Sequence, residues 1–200
     1  MKPVTVILDA GHGKTTPGKR SERTPDGRQL FEWQYTRELS KRIKMTCDQL
    51  GIRCIQANTD ETDPSLSERA RHINDLFARE KKNGRSALMI SLHGNACTSS
   101  GWGQASGWEV YTTEGTTNSD TFAKLMCKHF QIIFPDEKLR GHKEKNFTLI
   151  YKVNCPCVLT ENFFYDNKHD FEIMMSEEGL QKITDLHIAA ICDYIEYDKV

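Results

Sequence analysis

Two histidines in this 200-residue chain stand in matching surroundings. Val4–Gly13 reads VTVILDAGHG, and Ala87–Ala96 reads ALMISLHGNA. Each is a run of β-forming apolar residues that delivers a histidine beside glycine, so each reads as a buried strand. His12 and His93 are therefore expected at the carboxyl ends of central strands, the edge where open α/β sheets gather ligands. Gly11 and Gly13 are expected to let the backbone turn sharply there. Two imidazoles brought to one edge can share a metal ion, although either alone is as readily a hydrogen-bonded surface or core residue.

A carboxylate completes the set. Tyr35, Leu39, Ile43 and Leu50 recur at helical spacing over Phe31–Leu50, and Gly51 stops the helix. Glu32 lies three residues before Tyr35 and so falls on the inward stripe. A carboxylate buried there needs a partner. The helix dipole or a capping role is one answer, and a metal is the other. Two histidines and a glutamate, with a fourth position open to water, make a catalytic zinc shell. Imidazole ligands argue against the oxygen-seeking metals and for Zn²⁺, one per chain. Hydrolysis through such a site still needs a proton acceptor. Glu161, which ends the apolar run Cys157–Glu161, is the candidate base on the same rim.

The elements that must position these groups can be read in order. Lys14–Gln29 is a polar loop carrying Lys14, Lys19, Arg20, Arg23 and Arg28, either a solvated face or a rim that meets an acidic substrate. Ile52–Ala57 reads as a strand, and Ser65 with Glu68 forms a capping box for a helix running to about Lys81. Cys97–Gly107 is a Gly/Ser-rich loop whose Trp102 either stacks on a ligand or anchors the loop. Trp108–Thr113 is expected as a strand and Asn118–Phe134 as a helix; Phe147–Val153 and Cys157–Glu161 are expected as a late pair of strands. Ser176–Tyr194 closes the chain as a helix that packs His187. Alternating strands and helices predict a single α/β domain over residues 1–200, with a mixed, mostly parallel central sheet and helices on both faces. The late pair is the expected source of an antiparallel strand.

Composition narrows the function classes. Twenty-seven basic and 28 acidic residues give a net charge of -1, which offers no electrostatic case for nucleic acid or an anionic membrane as partner. No apolar run is long enough for membrane insertion, and the N-terminus lacks a signal-peptide pattern, so cytoplasmic synthesis is expected. The seven scattered cysteines fit free, mostly buried thiols better than a disulfide framework. A monomer is expected.

At these residues the sequence resembles the zinc-dependent N-acetylmuramoyl-L-alanine amidases of the bacterial cell wall. Asp9-Ala10-Gly11-His12-Gly13 matches the family's first ligand motif, Glu32 its glutamate ligand, and Ser91–Ala96 the segment bearing its second histidine. Ser65–Arg69 with Ile73-Asn74 is similar to its second-helix signature, and Arg140-Gly141 to a short pair before the late strands. Glu161 falls where the family keeps its catalytic glutamate. The resemblance implies hydrolysis of the amide between the lactyl group of N-acetylmuramic acid and L-alanine, with peptidoglycan or a muropeptide as substrate. It also implies action on the wall, whether as an endolysin-like enzyme released at lysis or as a bacterial one. A zinc peptidase cutting within the stem peptide would carry the same metal shell and base. The segment after Thr113 is too short for the inhibitory helical insertion of some relatives, so an open site is expected. Phe163 stands where the family has glycine, and an ordinary backbone is expected there.

Overall fold

The computed structural model describes residues 2–197. Six strands form one sheet in the order β2-β1-β3-β6-β4-β5. These are β1 (Val4–Ala10), β2 (Cys54–Gln56), β3 (Ser86–Asn95), β4 (Trp108–Thr112), β5 (Leu139–Glu144) and β6 (Cys157–Phe164). β2, β1, β3 and β6 run parallel; β4 pairs antiparallel with β6 and parallel with β5. All seven residues of β1 are buried, as a parallel strand covered on both faces requires.

The two faces follow from the period-two alternation of side chains. Val4, Val6 and Leu8 of β1 face a core formed with α1 (Glu32–Gln49), α3 (Ser119–Ile133), α5 (Lys168–Met175) and α6 (Glu177–Tyr197). Ile7 faces the opposite core, formed with α2 (Leu66–Lys82) and α4 (Thr148–Lys152). α1 buries Tyr35, Leu39 and Ile43 of the expected stripe, with Cys47 as its last buried apolar residue, while Leu50 lies past the helix end and is exposed. At α2 both halves of the Ser65/Glu68 capping box are made. No helix among the described residues is long and apolar enough to cross a membrane.

Several expectations are corrected. Phe147–Val153 is not a strand: Thr148–Lys152 is the short helix α4, which turns Leu149 and Ile150 into the α2-side core. The antiparallel relation comes instead from β4 against β6. Leu139–Glu144, where no element is expected, is an edge strand that carries Arg140-Gly141. α5 is an additional helix, started by Asn167, whose side chain accepts from the backbone N–H of His169 and Asp170. β6 does not end at Glu161 but continues to Phe164, so the candidate base sits within the strand. All seven cysteines are free; Cys47, Cys54, Cys155 and Cys157 are buried, while Cys97 is exposed.

Candidate metal centre

β1 and β3 lie side by side in register, and this adjacency brings His12 and His93 together. Their rings meet edge to face with centroids 5.0 Å apart. Glu32, in the first turn of α1, is fully buried. Its Oε1 lies 3.1 Å from His93 Nδ1 and 3.5 Å from His12 Nε2, and accepts the Gly94 N–H at 3.1 Å. One donor atom from each of His12, Glu32 and His93 lies within 4.8 Å of the others. The structure thus brings together the three residues expected as ligands.

Backbone geometry makes the approach possible, though not as expected. The left-handed turn is taken by His12 itself, at φ 60°, rather than by its flanking glycines. A side chain at Gly11 would run into the His93 ring, and a Cβ at Gly13 would lie 2.6 Å from the Thr62 carbonyl oxygen. The two glycines therefore supply close approach. Arg37 donates to the carbonyls of Ala10, Gly11 and His12 at 2.9, 3.2 and 2.7 Å, which holds the strained turn in place.

The donor set fits a metal ion. Glu32 Oε2 is buried with no hydrogen-bond partner among the described residues, a costly state for a carboxylate oxygen unless a cation meets it. Lys19 Nζ approaches it to 3.8 Å from the loop before α1. Burial lowers the His12 pKa to about 4, which leaves a free imidazole lone pair at neutral pH. Burial acts on Glu32 in the opposite sense, but the hydrogen bond and charge of His93 outweigh it and hold the carboxylate ionised.

Glu161 stands directly across the β3–β6 ladder from His93. Its Oε2 is buried and has no hydrogen-bond partner among the described residues. Burial pushes its pKa up to about 8; Glu32 and Glu109 push the same way, against His93 and Lys19. A carboxylate of raised basicity beside a metal position can accept a proton near neutral pH.

Around the centre, Ser91 and Asn95 bond residues other than the three candidate ligands. Ser91 Oγ donates to Asp9 at 2.7 Å, and Asn95 Nδ2 donates to Glu109 at 2.8 Å. Trp102 packs edge-on against Phe171, with centroids 5.4 Å apart, so it anchors its loop. His187 is a packed core residue whose Nδ1 donates to the Ile183 carbonyl at 2.7 Å. In the Lys14–Gln29 loop, Arg28 is paired with Glu172 and Asp26, and Lys14 with Glu61.

Three site residues escape sequence reasoning. Lys19 is one basic residue among several in a polar loop. Asn162 is fully buried and donates to the His93 carbonyl at 3.0 Å, while Trp108 Nε1 donates to its Oδ1 at 2.9 Å. Glu109 is a charged residue at a buried strand position, and that mismatch was the signal available for it.

Phe163 overturns the expected ordinary backbone. Its φ is 70°, the left-handed region that favours glycine. The β3–β6 register slips here, with His93 opposite Glu161 but Asn95 opposite Phe164, so Asn162 and Phe163 form a bulge just past the base. The Phe163 ring is fully buried against Phe130 and Phe134.

A family model described as N-acetylmuramoyl-L-alanine amidase matches residues 6–193. The N-acetylmuramoyl-L-alanine amidase CwlM of Bacillus licheniformis is 26% identical over 186 residues, which cover 92% of this chain and 66% of that protein. The endolysin of Bacillus phage SPP1 is 26% identical over 200 residues, covering 97% of this chain and 67% of the endolysin. The chain thus spans about two thirds of the length of these relatives. The crystal structure of N-acetylmuramoyl-L-alanine amidase from Clostridium difficile 630 superposes with a TM-score of 0.81 over 98% of both chains, at 21% identity, and so shares the fold.

Proposed function

The chain belongs to the N-acetylmuramoyl-L-alanine amidases, and from that premise we propose that it hydrolyses the amide joining the lactyl group of N-acetylmuramic acid to L-alanine in peptidoglycan. Residues 1–200 act as the catalytic domain, with one Zn²⁺ held by His12, Glu32 and His93. The observation that carries this reading is the triad of donor atoms within 4.8 Å of one another, whose carboxylate has its second oxygen, Glu32 Oε2, buried with no hydrogen-bond partner among the described residues. Nitrogen and oxygen donors in this ratio suit zinc and leave a position for water.

Each side chain then has a role. Bound zinc would lower the pKa of water and polarise the scissile carbonyl. Glu161 accepts a proton from the attacking water and passes it to the departing alanine nitrogen. Glu32 and the two imidazoles hold the metal, with burial keeping His12 unprotonated. Asn162 fixes the backbone beside His93 through its carbonyl. His12, Glu32, His93 and Glu161 all come from one chain, so a monomer suffices. The site of action is the cell wall.

Two measurements test the assignment. Mass spectrometry of digested peptidoglycan should find free stem peptides that begin with L-alanine; truncated stems still attached to sugar would refute it. Elemental analysis should find one zinc per chain in the wild type and in Glu161→Gln, with muropeptide hydrolysis in the variant reduced roughly 10²–10⁴-fold. His93→Ala should lose the metal itself. Full activity in zinc-loaded Glu161→Gln would remove the base from the mechanism.

A further inference from the structure

The row of side chains at the level of the metal ligands does not stop at Glu161. β3 sets His93 opposite Glu161 on one side, and β4 sets Glu109 opposite it on the other. Residues directly opposite one another share a face of the sheet. Glu109 is therefore the lateral neighbour of the proposed base. It is only 3% exposed, and four donors converge on it. Oε1 accepts from Asn95 Nδ2 and from the Tyr111 hydroxyl, each at 2.8 Å. Oε2 accepts from Arg140 Nε at 2.6 Å and from Lys143 Nζ.

One carboxylate is thus set against two cations, which leaves the cluster net positive. Both cations keep contact with solvent: the Arg140 side chain is 25% exposed and that of Lys143 36%. Aromatic faces back them. The Arg140 guanidinium lies 4.9 Å from the centre of the Phe164 ring, and the Lys143 ammonium 5.8 Å from that of Tyr111. A guanidinium and an ammonium held in place and partly open to solvent beside the proposed base are suited to an anionic group.

We propose that Arg140 and Lys143, braced by Glu109 beside Glu161, form a subsite for a carboxylate of the substrate's peptide, the first one past the scissile amide. The proposal rests on the amidase reading and adds a specificity determinant to it. Lengths agree. Neighbouring strands are about 4.8 Å apart. Glu109 on β4 is one spacing from the base, and Arg140 and Lys143 reach it from β5, the next strand out. Their charged ends therefore lie between one and two spacings, about 5–10 Å, from Glu161. A carboxylate on the residue after alanine lies about two residues, or roughly 7 Å, from the scissile carbonyl. Converting that carboxylate to a carboxamide removes the charge while conserving size.

The test compares two muramoyl tripeptides that differ only at the second residue, D-glutamate with a free α-carboxylate or D-isoglutamine with a carboxamide. The zinc-loaded wild type should favour the carboxylate about tenfold in kcat/KM, the scale of one charge-assisted hydrogen bond. Lys143→Gln and Arg140→Gln should each pull that ratio toward one, and Arg140→Lys should retain part of it. The ratio is independent of how much protein folds, so a loss of stability does not imitate the result. A wild-type ratio near one overturns the proposal. So does an unchanged ratio in both Gln variants, which would leave Arg140 and Lys143 as braces for Glu109 alone. Failure of the wild type to cleave either compound counts instead against the amidase reading, and takes the subsite with it.

Discussion

At the scale of single residues, the two backbone outliers have different standing. His12 and Phe163 both sit in the left-handed region, at φ 60° and 70°. His12 gains its place through the site, with Arg37 clamping the carbonyls around it. Phe163 gains its place through packing, since its ring is fully buried among the α3 aromatics. Replacing it with glycine should relieve about 1–2 kcal/mol of left-handed strain but forfeit about 3–5 kcal/mol for the lost ring. Phe163→Gly is therefore expected to be less stable by about 1–4 kcal/mol in urea unfolding, with the bulge and hydrolysis retained. A more stable variant would show that strain outweighs packing here. The sequence invites the opposite view of Phe163, because residue type alone argues for ordinary φ, and the ring's burial is visible only in three dimensions. His12, Glu32, His93 and Glu161 were legible because each carries a polar group at the end of, or inside, an apolar pattern. Lys19 was not, since its neighbours in a polar loop are equally charged.

At the scale of elements, periodicity worked where segments are long and one-sided. α1 and α2 begin within a residue of their expected starts. It failed where segments are short. Thr148–Lys152 makes barely more than one turn, so its apolar residues show no helical period, and tertiary contact decides its state. Leu139–Glu144 is an edge strand with no fully buried residue, so it lacks the apolar signal of a strand. α6 was legible, and it carries a testable charge effect. His187 is buried, with Nδ1 bonded to the Ile183 carbonyl and Nε2 3.3 Å from Thr160 Oγ1 of β6. Burial lowers its pKa from 6.5 to about 4. The unfolded chain therefore takes up this proton first as pH falls, so the contribution is intact above pH 6.5 and lost progressively down to about 4. At 1.36 kcal/mol per unit, the loss across that window is about 3 kcal/mol. Urea unfolding at pH 7 and pH 4.5 should show it in the wild type, and His187→Gln should flatten the difference. An identical slope in the two proteins would assign the acid lability elsewhere.

At the scale of the whole molecule, the question is what keeps two ligand-bearing strands and a helix in one register. Asp9, one residue before the end of β1, is 1% exposed and accepts from Arg69 Nε at 3.0 Å, Arg69 Nη2 at 2.5 Å and Ser91 Oγ at 2.7 Å. That single carboxylate ties the strand leading to His12 to the strand bearing His93, and both to α2 beneath. The sequence offers Asp9 as the end of an apolar run and Arg69 as part of a helix start, 60 residues later. Nothing in local pattern joins them, because the pairing depends on β1, β2 and β3 being neighbours. Removing the cation alone should be severe, since a buried carboxylate would lose its partner: Arg69→Met is expected to cost about 3–5 kcal/mol. The double variant Asp9→Leu/Arg69→Met should recover much of that stability, because apolar groups of similar size replace both charges. It should not recover the metal site. Without the bonds from Asp9 to Arg69 and Ser91 the two histidines lose a shared anchor, and zinc affinity by chelator competition should stay about 10–100-fold weaker than in the wild type. Recovery of stability together with wild-type zinc affinity would mean that sheet register alone aligns the ligands, and that the buried ion pair serves folding but not the site.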